Sequence, residues 1–382
     1  MLFLHYPKTN KLKESKPKIL ILGKLPPPYM GPAIATQIIL NSSLKNAWEL
    51  YHFDTRLNKD IKAMGKWSLK KSGLMLKKYA LYRKMLKRIS PDIVLVPISQ
   101  TTMGFVKDAP YIRLAKKAGA KVIVQLRGSD FKNWLSNSSQ KVNDFVKKTL
   151  QSADGVIVLG ENLKYLFSDY FPDDKIFVVP NGGNFTFPQV QKLKDQPLRI
   201  LYFANFLRNK GFIYVLKAIA VLNKEKSLPS FELVASGAWD DEAYKQECMA
   251  FIDDNKMTNV VFPDKKSGEE KWKLFAQADI FTFCPIAPEG HPWVIVEAMS
   301  AGLPIISTNQ GAIIESVIDG ENGFIVEQAN EQALADKLRL LLEDETLRLQ
   351  MGKASKNRYL NYFTEEKMVE NLNRVFNEIL QE

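Results

Sequence analysis

Short runs of branched apolar residues alternate with helical patterns along the whole chain of 382 residues. Runs of about four to eight such residues, bounded by Gly, Pro, Asp or Asn, are typical of buried strands. Because a helical pattern separates each strand from the next, the strands are predicted to form parallel sheets covered by helices. The predicted strands are 18–23, 50–54, 93–97, 121–126, 155–159, 176–180, 199–204, 231–235, 260–263, 280–284, 304–307 and 323–326.

A turn-rich segment at residues 180–184 divides these strands into two sets of six. It reads Pro, Asn, Gly, Gly, Asn, and a polar run follows it to Pro197. The chain is long enough for two domains of ordinary size, each with its own core. We therefore predict an α/β protein with two doubly wound, Rossmann-like domains that face a central cleft. Ligands bind outside the carboxyl ends of such strands, so the cleft is the expected site.

Cysteine content and hydropathy limit the compartment in which such a chain is expected. Cys248 and Cys284 are far apart and match no metal-ligand spacing, so we expect small core residues in a reducing environment. The first seven residues are too few for the apolar core of a signal peptide. No run approaches the about 18 apolar residues of a membrane span. The expectation is a cytoplasmic protein.

Positive charge is concentrated in the amino-terminal quarter. Residues 1–90 contain 19 Lys or Arg and 4 Asp or Glu, whereas the remaining 292 residues contain 34 and 38. Much of the excess lies between Lys59 and Arg88, which we call the basic segment. Within it, apolar residues recur at helical spacing opposite basic ones: Met75, Tyr79, Tyr82, Leu86 and Ile89 against Lys70, Lys77, Lys84 and Arg88.

Three interpretations of the basic segment are open. A basic amphipathic segment with aromatic residues suits an anionic membrane surface, here the inner face of the plasma membrane. A solvated helix face packed on a core fits the pattern equally well. Nucleic acid ranks lower, because no recognised nucleic-acid motif accompanies the charge.

The segment from Glu289 to Glu297, EGHPWVIVE, places two carboxylates eight positions apart across a predicted loop-to-helix junction. Pro292 suits the first turn of a helix, so Glu289 lies in the loop beyond strand 280–284 and Glu297 lies within an apolar helical run. Gly290 lets a ligand approach the backbone. The free N–H groups at the helix start favour an anionic or hydroxyl-rich ligand.

Two carboxylates in this arrangement suggest a ligand with hydroxyls at both ends. A carboxylate among apolar residues is costly to bury without partners, and a polyol would supply them. A nucleotide sugar has the required layout of ribose, diphosphate and hexose. The alternative is that Glu289 is a solvated loop residue and Glu297 lies on the exposed edge of its helix.

Two loops of the first half follow predicted strand ends. Gly31 stands near a helix start after strand 18–23, without the further glycines of a dinucleotide fingerprint. Arg127, Ser129 and Asp130 follow strand 121–126, and Ser129 or Asp130 is expected to cap the next helix.

One loop of the second half carries basic residues at a strand end. Asn205, Arg208 and Lys210 link strand 199–204 to a helix. Lys210 and Arg208 would lie where a diphosphate could bind.

Together these residues resemble glycosyltransferase family 4, the retaining transferases of GT-B fold, over nearly the whole chain. The most specific part is the pair of glutamates separated by seven residues and followed by AMSAGLP at 298–304. Gly311-Ala312 and DGENG at 319–323 support it. The Lys210-Gly211 turn, RGSDF at 127–131 and VPNG at 179–182 match weaker landmarks of the family.

The resemblance implies transfer of a hexose from a UDP- or GDP-type nucleotide sugar, with retention at the anomeric carbon and without a metal or other cofactor. It implies that Glu297 holds the ribose hydroxyls and Glu289 the donor hexose, while Lys210 neutralises the leaving diphosphate. The backbone amides expected to contact the sugar and phosphates are those around Gly290, His291 and Trp293.

The resemblance also implies roles for residues of the first domain and the bounds of both domains. Gly31 would bring its loop close to the donor, and Ser129 and Asp130 would lie on the acceptor side. The implied acceptor is a lipid-linked or cell-envelope glycan. The amphipathic stretch 364–380 is implied to return to the first domain, which gives domains of 1–183 with 360–382, and 184–359.

The chain departs from the family at three positions. Arg127 stands where the family usually has His, and Arg is a poor proton shuttle. Asn205 stands where the family tends to have Arg, and Arg208 or Arg127 would have to restore that charge. His291, where relatives often have Phe, either donates a hydrogen bond to the sugar or serves packing.

Three functions remain open from sequence. The first is an active sugar transferase at the inner face of a membrane. The second is a nucleotide-sugar-binding subunit with little activity, which the changes at Arg127 and Asn205 motivate. The third is a sugar-nucleotide epimerase of the same fold, which would need a positioned acid–base set. The chain has only three histidines, which disfavours an epimerase. The presence of Glu289, Lys210 and Glu297 favours an active transferase over a binding subunit.

Overall fold

The computed structural model describes residues 16–27, 30–56, 69–191, 196–263 and 265–381. For residues 69–72 it describes only the backbone. Over these residues the chain forms two six-stranded sheets, each with all its strands parallel. Helices cover both faces of each sheet, which confirms the predicted α/β architecture with two doubly wound domains.

The first sheet has the strand order β2-β1-β3-β4-β5-β6. Its strands are β1 (Lys18–Gly23), β2 (Glu49–Asp54), β3 (Ile93–Ile98), β4 (Lys121–Leu126), β5 (Gly155–Val158) and β6 (Ile176–Val178). Strand β1 pairs with β2 on one side and with β3 on the other. From β1 the chain therefore first adds β2 at one edge of the sheet and then builds β3 to β6 toward the other edge. The helices that follow β1 and β3 therefore diverge and leave a crevice at the carboxyl ends of these two strands.

The second sheet has the order β12-β11-β10-β7-β8-β9. Its strands are β7 (Leu198–Phe203), β8 (Phe231–Ser236), β9 (Val260–Val261), β10 (Ile280–Phe283), β11 (Ile305–Thr308) and β12 (Gly323–Val326). Here the direction changes between β7 and β10, which pair directly. The second crevice therefore opens beyond Phe203 and Phe283.

Thirteen helices accompany the strands in the described ranges. They are α1 (Gly31–Asn41), α2 (Leu69–Ile89), α3 (Thr102–Lys117), α4 (Phe131–Ser136), α5 (Gln140–Leu150), α6 (Phe212–Leu222), α7 (Glu242–Asp254), α8 (Gly268–Gln277), α9 (Trp293–Ser300), α10 (Ile313–Ser316), α11 (Glu331–Glu343), α12 (Glu345–Tyr362) and α13 (Glu365–Leu380). The helix predicted to begin near Pro292 is α9.

All twelve predicted strands are present, and their ends agree within two residues. The larger differences occur at β6 and β9, whose predicted ranges ended at Pro180 and Pro263. Both strands stop two residues earlier, because proline has no N–H with which to continue a strand pairing.

The last helix, α13, packs on the first sheet, as predicted. Its buried Leu372 and Phe376 belong to one apolar cluster with Ile19 and Ile21 of β1. The ring of Phe376 meets Trp48 edge to face at a centroid distance of 5.7 Å. The residue numbers that divide the two domains stay predictions.

The basic segment is described only in part, because residues 57–68 lie outside the described ranges. In α2 the predicted apolar face is buried at Tyr82 and Leu86, and the predicted basic face is exposed at Lys77, Lys84 and Arg88. The amphipathic pattern is thus confirmed where side chains are described. Across the described ranges, we find no helix with the length and apolar character needed to cross a bilayer.

Candidate functional site

Two loops meet where the second sheet changes direction. The loop after β7 and the loop after β10 are joined by a hydrogen bond of 3.0 Å from Ile286 N to the carbonyl of Asn209. Gly211 has a left-handed backbone (φ 75°) and lies so close to Cys284 that a Cβ would come within 1.9 Å of its carbonyl oxygen. A glycine is required there, and the close approach brings Lys210 beside the loop that carries Glu289.

Lys210 and Glu289 form an ion pair at this junction. The Glu289 side chain is only 14% exposed, and the Lys210 ammonium also lies 5.7 Å from the ring centroid of Phe283. The alternative of a solvated loop residue is therefore wrong for Glu289. The fold thus pairs a carboxylate with an ammonium group at the carboxyl edge of the sheet, although the two residues are 79 positions apart in sequence.

Glu297 is buried in α9, with 4% of its surface exposed. One carboxylate oxygen, Oε1, accepts a hydrogen bond of 2.5 Å from the ammonium of Lys271. The other, Oε2, is buried and has no hydrogen-bond partner among the described residues. The alternative of an exposed helix edge is therefore wrong for Glu297 as well. An unpaired buried carboxylate oxygen is costly, and a hydroxyl-bearing ligand would satisfy it.

Lys271 is a residue of this site that the sequence did not reveal. It lies in α8, and its ammonium is 4.6 Å from the ring centroid of Trp272 and 5.1 Å from that of Phe203. These aromatic faces stabilise the charge in a largely buried position. The available signal was weak, a lysine among aromatic residues in a short helix, and its partner lies 26 positions further along the chain.

His291 is buried, and both of its ring nitrogens are engaged within the protein. Nδ1 accepts a hydrogen bond of 3.0 Å from the backbone N–H of Asn181, so the proton of the neutral ring lies on Nε2, 2.7 Å from Ser316 Oγ. Burial lowers the pKa of His291 to about 3. The imidazole is thus neutral and committed to protein partners, which favours the packing interpretation over a hydrogen bond to a sugar.

Asn181 joins the two domains beside this histidine. Its amide nitrogen donates to the carbonyl oxygen of His291 at 2.6 Å, and its amide oxygen accepts from Arg127 Nη1 at 3.0 Å. Burial lowers the pKa of Arg127 to about 10, so the guanidinium remains charged at neutral pH. Gly290 packs against the carbonyl of Arg127, where a Cβ would come within 2.4 Å of the oxygen. Arg127 therefore borders the loop of Glu289.

Gly31 and Trp293 meet across the domain interface. The indole Nε1 of Trp293 donates a hydrogen bond of 3.2 Å to the carbonyl of Gly31. A Cβ at Gly31 would lie 3.3 Å from the indole ring. The structure thus places the first loop of the first domain against the start of α9, and the approach of Gly31 to the donor stays a prediction.

The side chains of Arg208 and Asn205 have partners other than the paired carboxylates. Arg208 forms ion pairs with Glu247 at 2.5 Å and Asp241 at 3.5 Å, and its guanidinium stacks on Tyr244. Within the described structure it makes no ion pair with Glu289. The expectation that Arg208 restores the charge missing at Asn205 stays a prediction. Asn205 is exposed, and its side-chain oxygen accepts from the backbone of the loop after β8.

Ser129 and Asp130 lie at the carboxyl end of β4, before α4. Asp130 occupies the position before the first helical residue, but its side chain accepts from Asn133 Nδ2 and makes no bond to the helix backbone. Its ψ of 13° is not the extended conformation in which a capping side chain reaches the helix N–H groups. The predicted cap is therefore wrong. The Asp130 N–H instead donates to Gln100, which follows β3.

The described residues contain no group of three or more His, Cys, Asp or Glu side chains arranged to hold a metal ion. Both cysteines are buried and unpaired, as expected of small core residues.

Two family models match consecutive parts of the chain. The model described as Glycosyltransferase Family 4 matches residues 47–185, and the model described as Glycosyl transferases group 1 matches residues 184–358. The junction between the two matches falls next to the predicted boundary between the domains.

Curated and solved proteins agree with these matches. The capsular polysaccharide biosynthesis glycosyltransferase CapM of Staphylococcus aureus is 27% identical over 246 residues, which are 60% of this chain and 63% of CapM. The chain thus spans less than two thirds of that relative.

Solved structures with low sequence identity share the fold. Sucrose-phosphate synthase from Thermosynechococcus elongatus has a TM-score of 0.75 at 15% identity, covering 96% of this chain and 100% of that chain. Anabaena HepE, solved in complex with UDP and glucose, has a TM-score of 0.70 at 17% identity, covering 94% and 99%.

The buried pair of Lys271 and Glu297 gives a prediction for stability. Lys271→Met leaves the Glu297 carboxylate buried without its partner, so the free energy of unfolding should fall by about 3 kcal/mol. The double variant Lys271→Met/Glu297→Leu removes both charges and should regain most of that loss. The free energies of unfolding of the wild type, the single variant and the double variant are measured by urea denaturation.

The matched control is Lys273→Met on the same helix. Lys273 pairs with Glu270 in an exposed position, so this change should cost at most about 1 kcal/mol. If Lys271→Met is no more costly than Lys273→Met, the ion pair does not stabilise the fold.

His291 gives a prediction for pH dependence. Because its pKa is about 3 when folded and near its usual 6.5 when unfolded, the unfolded chain binds the extra proton between these values. The stability from neutral His291 is therefore complete above pH 6.5 and declines as the pH falls toward 3. The slope is about 1.4 kcal/mol per pH unit. Unfolding free energies of wild type and His291→Gln, measured between pH 7 and 4, should converge as the pH falls, whereas parallel curves would contradict the assignment.

Proposed function

The chain belongs to glycosyltransferase family 4 and has the GT-B fold, and on that basis we propose that it transfers a hexose from a nucleotide sugar. The donor we propose is of UDP or GDP type, and the acceptor is a lipid-linked or cell-envelope glycan. Transfer proceeds with retention at the anomeric carbon and without a metal.

The arrangement of two carboxylates, each with its own lysine, carries this proposal. Lys210 and Glu289 lie in the loops after the adjacent strands β7 and β10, and Lys271 and Glu297 lie in the helices α8 and α9. Glu297 has a buried oxygen without a partner in the described structure, which suits a ribose hydroxyl. Glu289 lies in the loop before the start of α9, and we assign it to the hexose. The diphosphate between them would meet the helix start, where free N–H groups favour an anion.

The chemistry of this site rests on charge and position. The acceptor oxygen forms a bond to the anomeric carbon as the bond between that carbon and the diphosphate breaks. The diphosphate leaves with the bonding electrons, and the proton of the acceptor hydroxyl passes to it. Lys210 supplies a positive charge near the departing oxygens, and the backbone amides of the loop from Gly290 add fixed dipoles. Holding an acceptor hydroxyl on the face that the diphosphate leaves accounts for retention. Arg127 adds charge from the opposite domain.

Known proteins support parts of this proposal. CapM is named for capsular polysaccharide biosynthesis, and the Anabaena HepE structure contains UDP and glucose. The name of CapM is in keeping with a cell-envelope glycan acceptor, and the HepE complex with a UDP-sugar donor.

A nucleotide-sugar-binding subunit is the second candidate. Arg127 replaces the histidine of the family, and its guanidinium is held by Asn181, so no imidazole stands ready to move a proton there. An epimerase is less well supported. Both ring nitrogens of His291 are hydrogen-bonded within the protein, and Nε2 of His52 contacts the carbonyl oxygen of Gly23. Neither imidazole is therefore positioned as the acid–base group that an epimerase would need.

We also propose that α2 attaches the protein to the inner face of a membrane. Lys77, Lys84 and Arg88 are exposed along this helix. Leu76 and Leu81, which are 66% and 49% exposed, lie among them. A basic helix face with exposed leucines suits anionic lipid.

A donor screen tests the catalytic proposal. The protein is incubated with UDP-, GDP- and ADP-sugars, and nucleotide release and thermal stabilisation are measured. Glu297→Ala should raise the Kd of the stabilising nucleotide roughly tenfold or more, because it removes charge-assisted hydrogen bonds. The control Glu269→Ala changes an exposed carboxylate of α8 and should have no effect.

Two outcomes decide between the candidates. An unchanged Kd in a folded Glu297→Ala protein refutes the ribose-binding role. Stabilisation without turnover on any acceptor favours the binding subunit.

Liposome flotation tests the membrane proposal. Binding should require anionic lipid and weaken with salt. Lys77→Gln/Lys84→Gln should lower the partition coefficient roughly thirtyfold, since each lysine contributes about 1 kcal/mol. The control Lys224→Gln/Lys353→Gln removes two exposed charges of the second domain and should bind as wild type. Equal capture by neutral vesicles would show that charge does not drive attachment.

A further inference from the structure

Residues next to the loop of Glu289 form a further contact between the domains. Asn162 lies in the short 3₁₀ helix Glu161–Leu166, which follows β5 in the first domain. Its backbone N–H donates to Glu315 Oε1 at 2.7 Å, and its Nδ2 donates to the carbonyl oxygen of Gly311 at 2.7 Å. Gly311 and Glu315 both follow β11 in the second domain. We call Asn162, Gly311 and Glu315 the interdomain clamp.

The loop after β11 is also packed into the core of the first domain. Ala312 is 1% exposed and belongs to one buried apolar cluster with Leu159 and Leu163. A Cβ at Gly160 would come within 2.7 Å of both the Ala312 Cβ and Glu315 Oε1. Glycine at position 160 therefore lets the two domains approach closely enough for the clamp to form.

The clamp is continuous with the loop that carries Glu289. Gly311 has a left-handed backbone (φ 57°), and a Cβ there would come within 1.9 Å of the carbonyl oxygen of Glu289. The next residue, Ala312, donates its N–H to the carbonyl oxygen of Gly290 at 2.8 Å. Because the two loops touch and are hydrogen-bonded, a shift of Gly311 is passed directly to the backbone that places Glu289.

Glu315 is held from both domains. Its carbonyl oxygen accepts hydrogen bonds from Nε and Nη2 of Arg358 in α12, the first at 3.0 Å. Its carboxylate accepts from Asn162 of the first domain. The backbone of α10 is thus fixed in its own domain, and the side chain reaches across. The Glu315 carboxylate can therefore part from Asn162 without unfolding α10.

The clamp is incompletely satisfied. Asn162 Oδ1 is buried and has no hydrogen-bond partner among the residues that the structure describes. Burying an amide oxygen in this state costs free energy, which hydration returns when the domains open. The contact is therefore less stable than a fully paired one. This suits a contact that breaks when the domains open and forms again when they close.

We propose that Asn162 and Glu315 are positioning residues that set the loop of Glu289 when the domains close. The inference rests on the proposed transferase function, because it concerns the site assigned to the donor hexose. Both residues act through Gly311, which fixes the backbone of Glu289 and Gly290. The loop thus reaches its reactive position only when the first domain, to which the acceptor is assigned, has docked. This order protects the donor from water until the acceptor is in place.

Hydrogen exchange followed by mass spectrometry tests the clamp in the full chain, without any ligand. Asn162→Ala removes the bond to Gly311, so exchange in residues 286–293 and 309–316 should rise roughly fivefold, the effect of one neutral hydrogen bond. Glu315→Ala removes a bond to a charged acceptor, and the rise should be roughly tenfold or more. Glu315→Gln keeps an acceptor oxygen and should lie closer to the wild type. The control Glu161→Gln changes the exposed neighbour of Asn162 and should exchange as the wild type does.

Turnover separates positioning from a purely structural contact. UDP-, GDP- and ADP-glucose are each incubated with the protein, and nucleotide release with water as acceptor gives kcat for any donor that reacts. Asn162→Ala should lower this kcat roughly fivefold, in step with the exchange. The Kd of the corresponding nucleoside diphosphate should stay that of the wild type, because this ligand lacks the hexose and does not depend on the position of Glu289.

Three results would overturn the clamp. In the first, Asn162→Ala and Glu315→Ala exchange no faster than Glu161→Gln in residues 286–293. In the second, exchange rises but the kcat of a reactive donor is unchanged. In the third, the affinity for the nucleoside diphosphate falls as much as kcat does, which would show a general loss of the donor site.

The transferase proposal fails by a different measurement. If UDP, GDP and ADP do not stabilise the protein and none of the three sugar nucleotides reacts, the donor assignment is wrong. Hydrogen exchange in the ligand-free protein then decides alone whether Asn162 and Glu315 set the loop of Glu289.

Discussion

The change of direction within each sheet is the constraint on which the rest of the molecule depends. Where neighbouring strands send their chains to opposite sides, no helix covers their carboxyl ends, and the loops there are free to carry chemistry. In the second sheet this position brings Lys210 from the end of β7 to Glu289 from the end of β10. In the first sheet it leaves a cavity between the ends of β1 and β3.

The two positions differ in how their charges are balanced. In the second domain each buried carboxylate has a lysine of its own, so the site is electrostatically prepared before a ligand arrives. Such prepared charges need little rearrangement during reaction. The first-domain cavity carries an excess of positive charge, with its single described carboxylate occupied by Ser99 and Lys107. The two positions thus differ in charge: the carboxylates of the second domain are paired with lysines, whereas the first-domain cavity is lined by more basic than acidic side chains.

The sequence predicted the fold more completely than the site. Alternation of apolar strands with helices is a local signal, so all twelve strands were found, and the largest errors are at β6 and β9, which end two residues before Pro180 and Pro263. Glu289 and Glu297 were found because they lie in one short segment. Lys271 was missed because it approaches Glu297 from another helix. The bridge from Arg127 through Asn181 to His291 joins residues 54 and 110 positions apart, and no spacing rule reports it. The cavity of the first domain was missed because its walls come from three strands and two helices that no motif connects.

The return of α13 to the first domain means that the chain passes between the domains twice. The crossing near Gly183 and the crossing near Phe363 lie side by side: Gly183 N donates to the carbonyl of Phe363 at 3.2 Å, and Tyr359 donates to the carbonyl of Gly183 at 2.9 Å. The two connecting segments are hydrogen-bonded to each other, so together they form a single hinge along one edge of the interface. Any opening that keeps these bonds is confined to rotation about that edge, so Lys210 and Arg127 would separate along one arc and return in the same alignment.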